Sequence, residues 1–392
     1  MNIGFVGLGN LGRYSAEVIA EHYNLEGYDI RTVDTTVKQV SLDQVCKDKH
    51  IIFIAVPTPH DPLYDGKEPT SHLPAKDFDY SIAKEVVQEV DSRVDSNTLV
   101  VLISTVLPGT IRREIAPLIK NARFIYNPYL IAQGTVKWDM INPEMIIIGT
   151  DDGDTISDAK ILSDFYKKFI KKDTRYVIGT WEEAESIKIF YNTFISAKLA
   201  LVNMIQDVAQ NVGNINVDIV TDALKNSTKR IMGPSYMSAG LGDGGGCHPR
   251  DNIALSSIVE KYNLGYDLFQ SIMYAREMQA KNLAKFLISF GNPVVIVGKA
   301  FKPGIDQVHG SPSILVGHYC KEDNIEVFYD SFPENSGPLT FMLHDYDMFS
   351  KFIIPKESTI VDVFRKLQHS IPGSTIVKYG NTRKEKDYEK VI

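Results

Sequence analysis

Cysteine is scarce, three residues in 392, and Cys46, Cys247 and Cys320 lie far apart with neither a Cys-x-x-Cys pair nor histidine-rich ligand spacing. That pattern speaks against a zinc motif and a disulfide scaffold, so no metal is expected. Basic excess is also lacking: 42 Lys and Arg stand against 49 Asp and Glu, a formal net charge of -7. A broad phosphate-backbone partner such as nucleic acid is therefore not expected. No apolar run approaches a membrane span, so no membrane association is expected. Met1 leads directly into a strand pattern with no secretory signal, which makes the cytoplasm the expected place of action. Residues 182–212 contain no proline or glycine. Thr180 with Glu183 makes a capping box ahead of this stretch, and Gly213 supplies a stop. The pattern predicts one helix of roughly 45 Å, at about 1.5 Å per residue, long enough to bridge two lobes and to meet a second subunit.

What is present begins at the first residue. Met1 to Val6 reads as a short buried strand, and Gly7-Leu8-Gly9-Asn10-Leu11-Gly12 follows before an apolar helical stretch. This is a dinucleotide fingerprint in its proper setting. Gly7 permits the tight turn, Gly9 lets backbone meet a pyrophosphate, Gly12 allows the helix to sit on the strand, and the helix N-terminus attracts the phosphates. A second apolar run, Tyr28 to Val33, ends in Asp34. A carboxylate there would accept hydrogen bonds from the adenosine ribose and repel a 2′-phosphate, which favours NAD over NADP.

Apolar strands then alternate with helical stretches: Ile51 to Val56 before Pro57-Thr58-Pro59, Tyr80 to Asp91, Leu99 to Ser104, a helix from Thr110, Arg123 to Tyr126, and Met145 to Gly149. The alternation predicts a parallel, doubly wound sheet. Ligands collect beyond the carboxyl ends of such strands, so Thr58, Ser104 and Thr105 are placed either to face one or to cap helices. Lys188 and Asn192 share one face of the long helix, where the lysine either snorkels or serves a site. Cys247 stands between the glycine-rich run from Gly242 and Pro249, which suits a first helical position. It is either an ordinary loop thiol or a thiolate tuned by a helix N-terminus. Strand patterns at Pro293 to Gly298, Ile325 to Asp330 and Ser358 to Val363 suggest a second nucleotide-type lobe without the full glycine fingerprint.

Gly7 to Gly12, Pro57-Thr58-Pro59, Ser104-Thr105 with Pro108-Gly109-Thr110, Lys188 with Asn192, Gly244-Gly245 before Cys247, Asp251, and Ala300-Phe301-Lys302-Pro303 with Asp306 and Ser311-Pro312 occur together and in order. In this the chain resembles the UDP-glucose/GDP-mannose dehydrogenase family, from residue 1 to about 330. The resemblance implies two Rossmann-like doubly wound α/β lobes joined by a long central helix and a helical middle domain. It divides the chain into an NAD-binding domain at 1–180, a central dimer-forming domain with the cysteine at 181–285, and a UDP-sugar-binding domain at 286–392. It implies a homodimer using NAD to oxidise the primary alcohol of a nucleotide sugar, UDP-glucose first among them, to the acid in two hydride transfers. An aldehyde yields hydride readily once a nucleophile has added to it, which is why such chemistry uses a thiol.

By the same resemblance Cys247 would form a thiohemiacetal and then a thioester, while Lys188 and Asn192 stabilise charge on oxygen, Asp251 works with a water, and Thr105 positions water. Gly7, Gly9, Asn10, Leu11, Gly12, Asp34, Pro57, Thr58, Ser104 and Thr105 would hold NAD. Tyr129, Leu130, Lys188, Asn192, Arg230, Gly244, Lys302 and Arg365 would contact the substrate. The chain departs from the family pattern where two glutamates are usual, carrying Tyr129 and Gln133 instead. Gly246, Asp243, Arg250 and His309-Gly310 are further departures. These imply that thioester hydrolysis is slow or uses another group, with His248 as a substitute base. GDP-mannose, a UDP-N-acetylsugar, and a non-catalytic sugar-nucleotide-binding role are the alternatives.

Overall fold

In the computed structural model, the apolar runs of the sequence become strands buried on both faces. It describes residues 1–382 apart from 60, 65–68, 133, 171–172, 234–237 and 244–246, with backbone alone at 64, 247, 250 and 254. Two compact units emerge, Met1–Ala197 and Lys198–Ile392, and the division falls inside the long helix.

The first unit holds β1 (Asn2–Val6), α1 (Gly12–Ala20), β2 (Asn24–Tyr28), β3 (Lys38–Gln39), α2 (Leu42–Cys46), β4 (Ile51–Ile54), α3 (Ser81–Asp91) and β5 (Leu99–Leu102). β6 (Arg123–Tyr126), α4 (Val136–Ile141), β7 (Met145–Thr150), α5 (Asp158–Tyr166), β8 (Arg175–Thr180) and the start of α6 (Trp181–Val212) complete it. The eight strands lie in the order β3-β2-β1-β4-β5-β6-β7-β8. Every residue of β4 and β5 is buried, as expected for strands covered by helices on both faces. Phe5, Phe53, Phe165 and Tyr166 fill one side of the sheet, and Ile52, Ile54, Val87 and Tyr126 the other. The expectation of a wholly parallel sheet needs one correction: β7 meets β6 antiparallel through the single pair Tyr126–Gly149.

The second unit takes the rest of α6, then α7 (Val217–Lys225), α8 (Cys247–Tyr262), α9 (Leu268–Ile288), β9 (Val294–Val297), α10 (Pro312–Glu322), β10 (Val327–Tyr329), β11 (Thr340–Leu343), α11 (Tyr346–Phe349), β12 (Thr359–Asp362) and β13 (Thr375–Lys378). Its five strands are parallel in the order β10-β9-β11-β12-β13, a smaller Rossmann-like sheet. Met204 of α6, Val259 of α8 and Phe269 of α9 form a separate helical core. The predicted capping box opens α6: Glu183 Oε2 accepts the Thr180 N–H at 2.8 Å and Thr180 Oγ1 accepts the Glu183 N–H at 3.3 Å. Gly213 ends the helix at φ +82°. Among the described residues no helix is long and apolar enough to cross a membrane.

His344 ties the second sheet to α10. Its Nδ1 lies 2.9 Å from Ser313 Oγ and 3.1 Å from the Gly298 carbonyl oxygen, and the ring is 6% exposed. Burial holds the imidazole below its ordinary value of 6.5. The unfolded chain therefore binds this proton first as pH falls, so the contribution is complete above 6.5 and is lost on acidification below it. Urea unfolding of wild type and His344→Asn across that range should show a shallower acid loss in the variant.

Candidate functional site

β1 ends at Val6 and the chain turns at Gly7, φ +96°, where a Cβ would lie 2.3 Å from the Ala55 carbonyl oxygen. Gly12 begins α1 against that turn, and a Cβ there would lie 2.0 Å from the Gly7 carbonyl oxygen. Side chains at either position would collide with backbone. Gly9 differs, since nothing lies within 4 Å of its Cβ direction. Gly9, Asn10 and Leu11 are exposed. Open backbone thus stands at the positive end of α1, a cradle shaped for a pyrophosphate. β1 has β2 on one side and β4 on the other, which makes this the switch point where doubly wound sheets take ligands.

The acid beside this turn is Asp29 rather than Asp34. β2 lies earlier than Tyr28 to Val33, pairing with β1 in register from Asn2–Asn24 to Val6–Tyr28. Asn24, Glu26 and Tyr28 take its more exposed positions, so no continuous apolar run marks it. Asp29 follows directly: its Oδ2 accepts the Leu8 N–H at 2.8 Å and its Oδ1 the Arg31 N–H at 3.1 Å. Asp34 is exposed in an irregular segment, and its carbonyl oxygen accepts from Arg13 at 3.3 Å.

The segments after β4 and β5 form the next wall. Ser104 Oγ donates to the Val56 carbonyl at 2.6 Å and accepts the Val56 N–H at 3.2 Å. Thr58 Oγ1 donates to the Thr105 carbonyl at 2.7 Å. These hydroxyls staple one loop to the other, so the expected ligand contact of the Ser104 side chain, 7% exposed, is corrected to a scaffold role. Pro57 is exposed and Thr105 half-buried.

Helix α6 crosses the same end of the sheet. Lys188 Nζ donates to the Tyr129 carbonyl at 2.6 Å, and burial pushes its ammonium below the ordinary lysine value. One turn on, Asn192 is exposed. Tyr129 reaches this place through its backbone alone. Its ring is 8% exposed and its hydroxyl lies 2.9 Å from that of Tyr166, so the expected substrate contact of this side chain is corrected to a core role. Leu130 packs partly buried against the core. Glu185, unnoticed in the sequence, is 0% exposed and accepts the N–H groups of Gly109 and Ile111, the latter at 2.6 Å. Desolvation raises its carboxyl to about 7. Its signal was an acid on the same helical face as Lys188.

In the second unit Cys247 is the first residue of α8, two before Pro249, which the first turn tolerates. Gly244 lies outside the described residues. Asp251 and Arg230 are both exposed, the first in α8 and the second in a turn beyond α7. Lys302 is exposed with Nζ 5.6 Å from the Phe301 ring centroid. Arg365 is a correction: its guanidinium donates to the carbonyls of Val363 at 2.7 Å, Tyr379 at 2.8 Å and Ala239, which leaves it bracing loops instead of free for a nucleotide. Arg276, also unforeseen, donates to Asp243 at 2.6 Å and to the Gly310 carbonyl at 2.8 Å. The turn after β9 repeats that of the first unit: Gly298 has φ +98°, and Asp330 past β10 accepts its N–H at 2.7 Å.

Comparison with known proteins gives two family matches. Residues 38–170 match the NAD binding domain of the UDP-glucose/GDP-mannose dehydrogenase family, and residues 182–277 match its central domain. The chain is 25% identical over 275 residues to a UDP-glucose 6-dehydrogenase of Rickettsia typhi, covering 68% of this chain and 59% of that protein. It is 27% identical over 278 residues to a UDP-glucose 6-dehydrogenase of Rhizobium meliloti, covering 68% and 60%. The matches thus span about three fifths of these relatives' length. A GDP-mannose dehydrogenase from Pseudomonas aeruginosa, solved as a ternary complex, shares the fold at TM-score 0.79 with 21% identity, over 96% of this chain and 99% of that one.

The Asp29 assignment predicts that Asp29→Ala weakens NAD binding by about 10-fold or more, the worth of hydrogen bonds to a charged group, while Asp34→Ala leaves it unchanged. Calorimetric titration of both variants with NAD checks this.

Proposed function

The chain belongs to the UDP-glucose/GDP-mannose dehydrogenase family, and from that premise we propose that it oxidises the C6 primary alcohol of UDP-glucose to the acid. NAD is its cofactor; held at the Gly7 to Gly12 turn, it would supply the hydride acceptor for each of the two oxidations. The observation that carries the reading is where the three cysteines stand in the chain's elements. Cys46 and Cys320 are buried, and burial pushes each up to about 11, which makes them inert at neutral pH. Cys247 opens α8, inside the matched central domain, and a helix N-terminus is a position at which a thiolate would be favoured.

In this reading Asp251, with a water, takes the alcohol proton during the first oxidation. The Cys247 sulfur then adds to the aldehyde carbon, the oxygen gains a proton, and a thiohemiacetal forms. Its oxidation leaves a thioester, and water cleaves the carbon–sulfur bond to release the acid and the thiol. Lys188 and Asn192 stabilise negative charge on the reacting oxygen. Thr105 orients water, Arg230, Gly244 and Lys302 hold the sugar nucleotide, and Gly7 to Gly12, Asp29, Pro57 and Thr58 line the NAD crevice. The inward turn of the Tyr129 side chain supports slow hydrolysis, because no base is offered there; Gln133 lies outside the described residues. His248, exposed with Nδ1 3.9 Å from Asp243 Oδ2, is the proposed substitute.

Wild type mixed with NAD and UDP-glucose should yield NADH and a mass adduct confined to Cys247, and Cys247→Ala should form no acid. A panel including GDP-mannose and UDP-N-acetylsugars sets the substrate. NADH from another sugar alone would overturn the UDP-glucose assignment. Tight binding with no NADH across the panel would make the chain a non-catalytic binder, and acid production by Cys247→Ala would remove the thiol mechanism.

The proposed partner is a second copy of the chain. Residues 192–201 of α6 are all exposed, and the apolar Ile195 and Leu199 are 44% and 55% exposed. Exposed aliphatic side chains on one helix suit a surface that a second copy covers. Light scattering should give the mass of two chains for wild type, and Ile195→Glu with Leu199→Glu should shift it to one.

A further inference from the structure

Helix α6 is fastened to the first sheet at two points nearly one turn apart. At Lys188 the Nζ holds the Tyr129 carbonyl just past β6, at 2.6 Å. Three residues earlier, the fully buried Glu185 carboxylate accepts the N–H groups of Gly109 and Ile111. Those amides belong to the segment that follows Thr105 and opens the helical turn Ile111–Ile115. Burying a carboxylate is costly unless donors surround it, so its place here calls for a reason. Two oxygens gripping two amides fix both the separation and the rotation of the loop against the helix. A single acceptor would leave a pivot.

We propose that Glu185 is a positioning residue that sets the register between Lys188 and the Thr105 loop, so that lysine and threonine meet the reacting sugar together. The kinetic consequence rests on the dehydrogenase reading above; the geometric one does not. Glutamine at 185 keeps the length of the side chain but turns one end into an NH2 donor facing an N–H donor. Aspartate keeps the charge but is one methylene shorter and reaches one amide at most. Either change should let the loop and the helix shift apart.

The test uses the full chain and a matched control. Asp91 is another buried carboxylate, 3% exposed, and it accepts the N–H groups of Lys120, Asn121 and Ala122 ahead of β6. Glu185→Gln, Glu185→Asp and Asp91→Asn would be compared with wild type by thermal melting. The rate at which an amine reagent labels Lys188, read by peptide mass spectrometry at a fixed alkaline pH, is the second readout. Turnover with NAD and UDP-glucose is the third. Glu185→Gln should change Lys188 labelling about threefold or more and lower kcat about 100-fold with KM for NAD little moved, since a misplacement of about 1 Å has that cost. Glu185→Asp should recover part of kcat. Asp91→Asn should melt earlier, yet label and turn over as wild type does. Wild-type labelling and turnover in Glu185→Gln, or equal losses in Asp91→Asn, would overturn the proposal. If wild type oxidises no nucleotide sugar, the dehydrogenase reading fails and the labelling comparison still decides the role of Glu185.

Discussion

The first unit depends on backbone touching backbone at Gly7 and Gly12. With the Gly12 Cβ direction only 2.0 Å from the Gly7 carbonyl oxygen, α1 can start where it does because neither residue carries a side chain. The same approach presses Gly7 against the Ala55 carbonyl just past β4. Strand, turn, helix and the neighbouring strand are therefore set by one contact. The staples from Ser104 to Val56 and from Thr58 to Thr105 extend the frame to β5, and the Glu185 and Lys188 bonds extend it to α6. A cofactor crevice built this way arrives formed, which lowers the ordering cost of binding.

Much of this was legible in the sequence because it rests on local chemistry. The glycine turn follows from spacing, the capping box of α6 from Thr180 and Glu183, and the buried strands β4, β5 and β9 from unbroken apolar runs. β2 was missed because its more exposed positions, Asn24, Glu26 and Tyr28, are polar, so a run starting four residues later drew the expected acid from Asp29 to Asp34. Glu185 and Arg276 were passed over because their partners, main-chain amides for the first and Asp243 with the Gly310 carbonyl for the second, lie far away in sequence. Arg365 misled for a related reason: a lone arginine after a strand end looks alike whether it holds a phosphate or three carbonyls. β3 has only two residues to carry a pattern, and β8 and β13 are only partly buried, so neither shows an unbroken apolar run.

Tyr129 shows how a departure from a family pattern is accommodated. A carboxylate at that buried position would need donors around it. The phenol instead joins a chain in which the Tyr166 hydroxyl donates to Asn127 Oδ1 and Asn127 Nδ2 donates to the Ile147 carbonyl at 2.6 Å. The side chain at this position serves packing, while its carbonyl oxygen holds Lys188.

The turn that recurs after β1 and β9 has a consequence of its own. At the first copy the acid is met by the amides of Leu8 and Arg31; at the second, Lys299 Nζ also lies 3.9 Å from Asp330 Oδ2. An ammonium group beside a carboxylate dulls the local field, so the two copies share a shape but not a potential. Added salt should screen the first more than the second. A doubled scaffold has in this way been given two electrostatic temperaments by a single lysine.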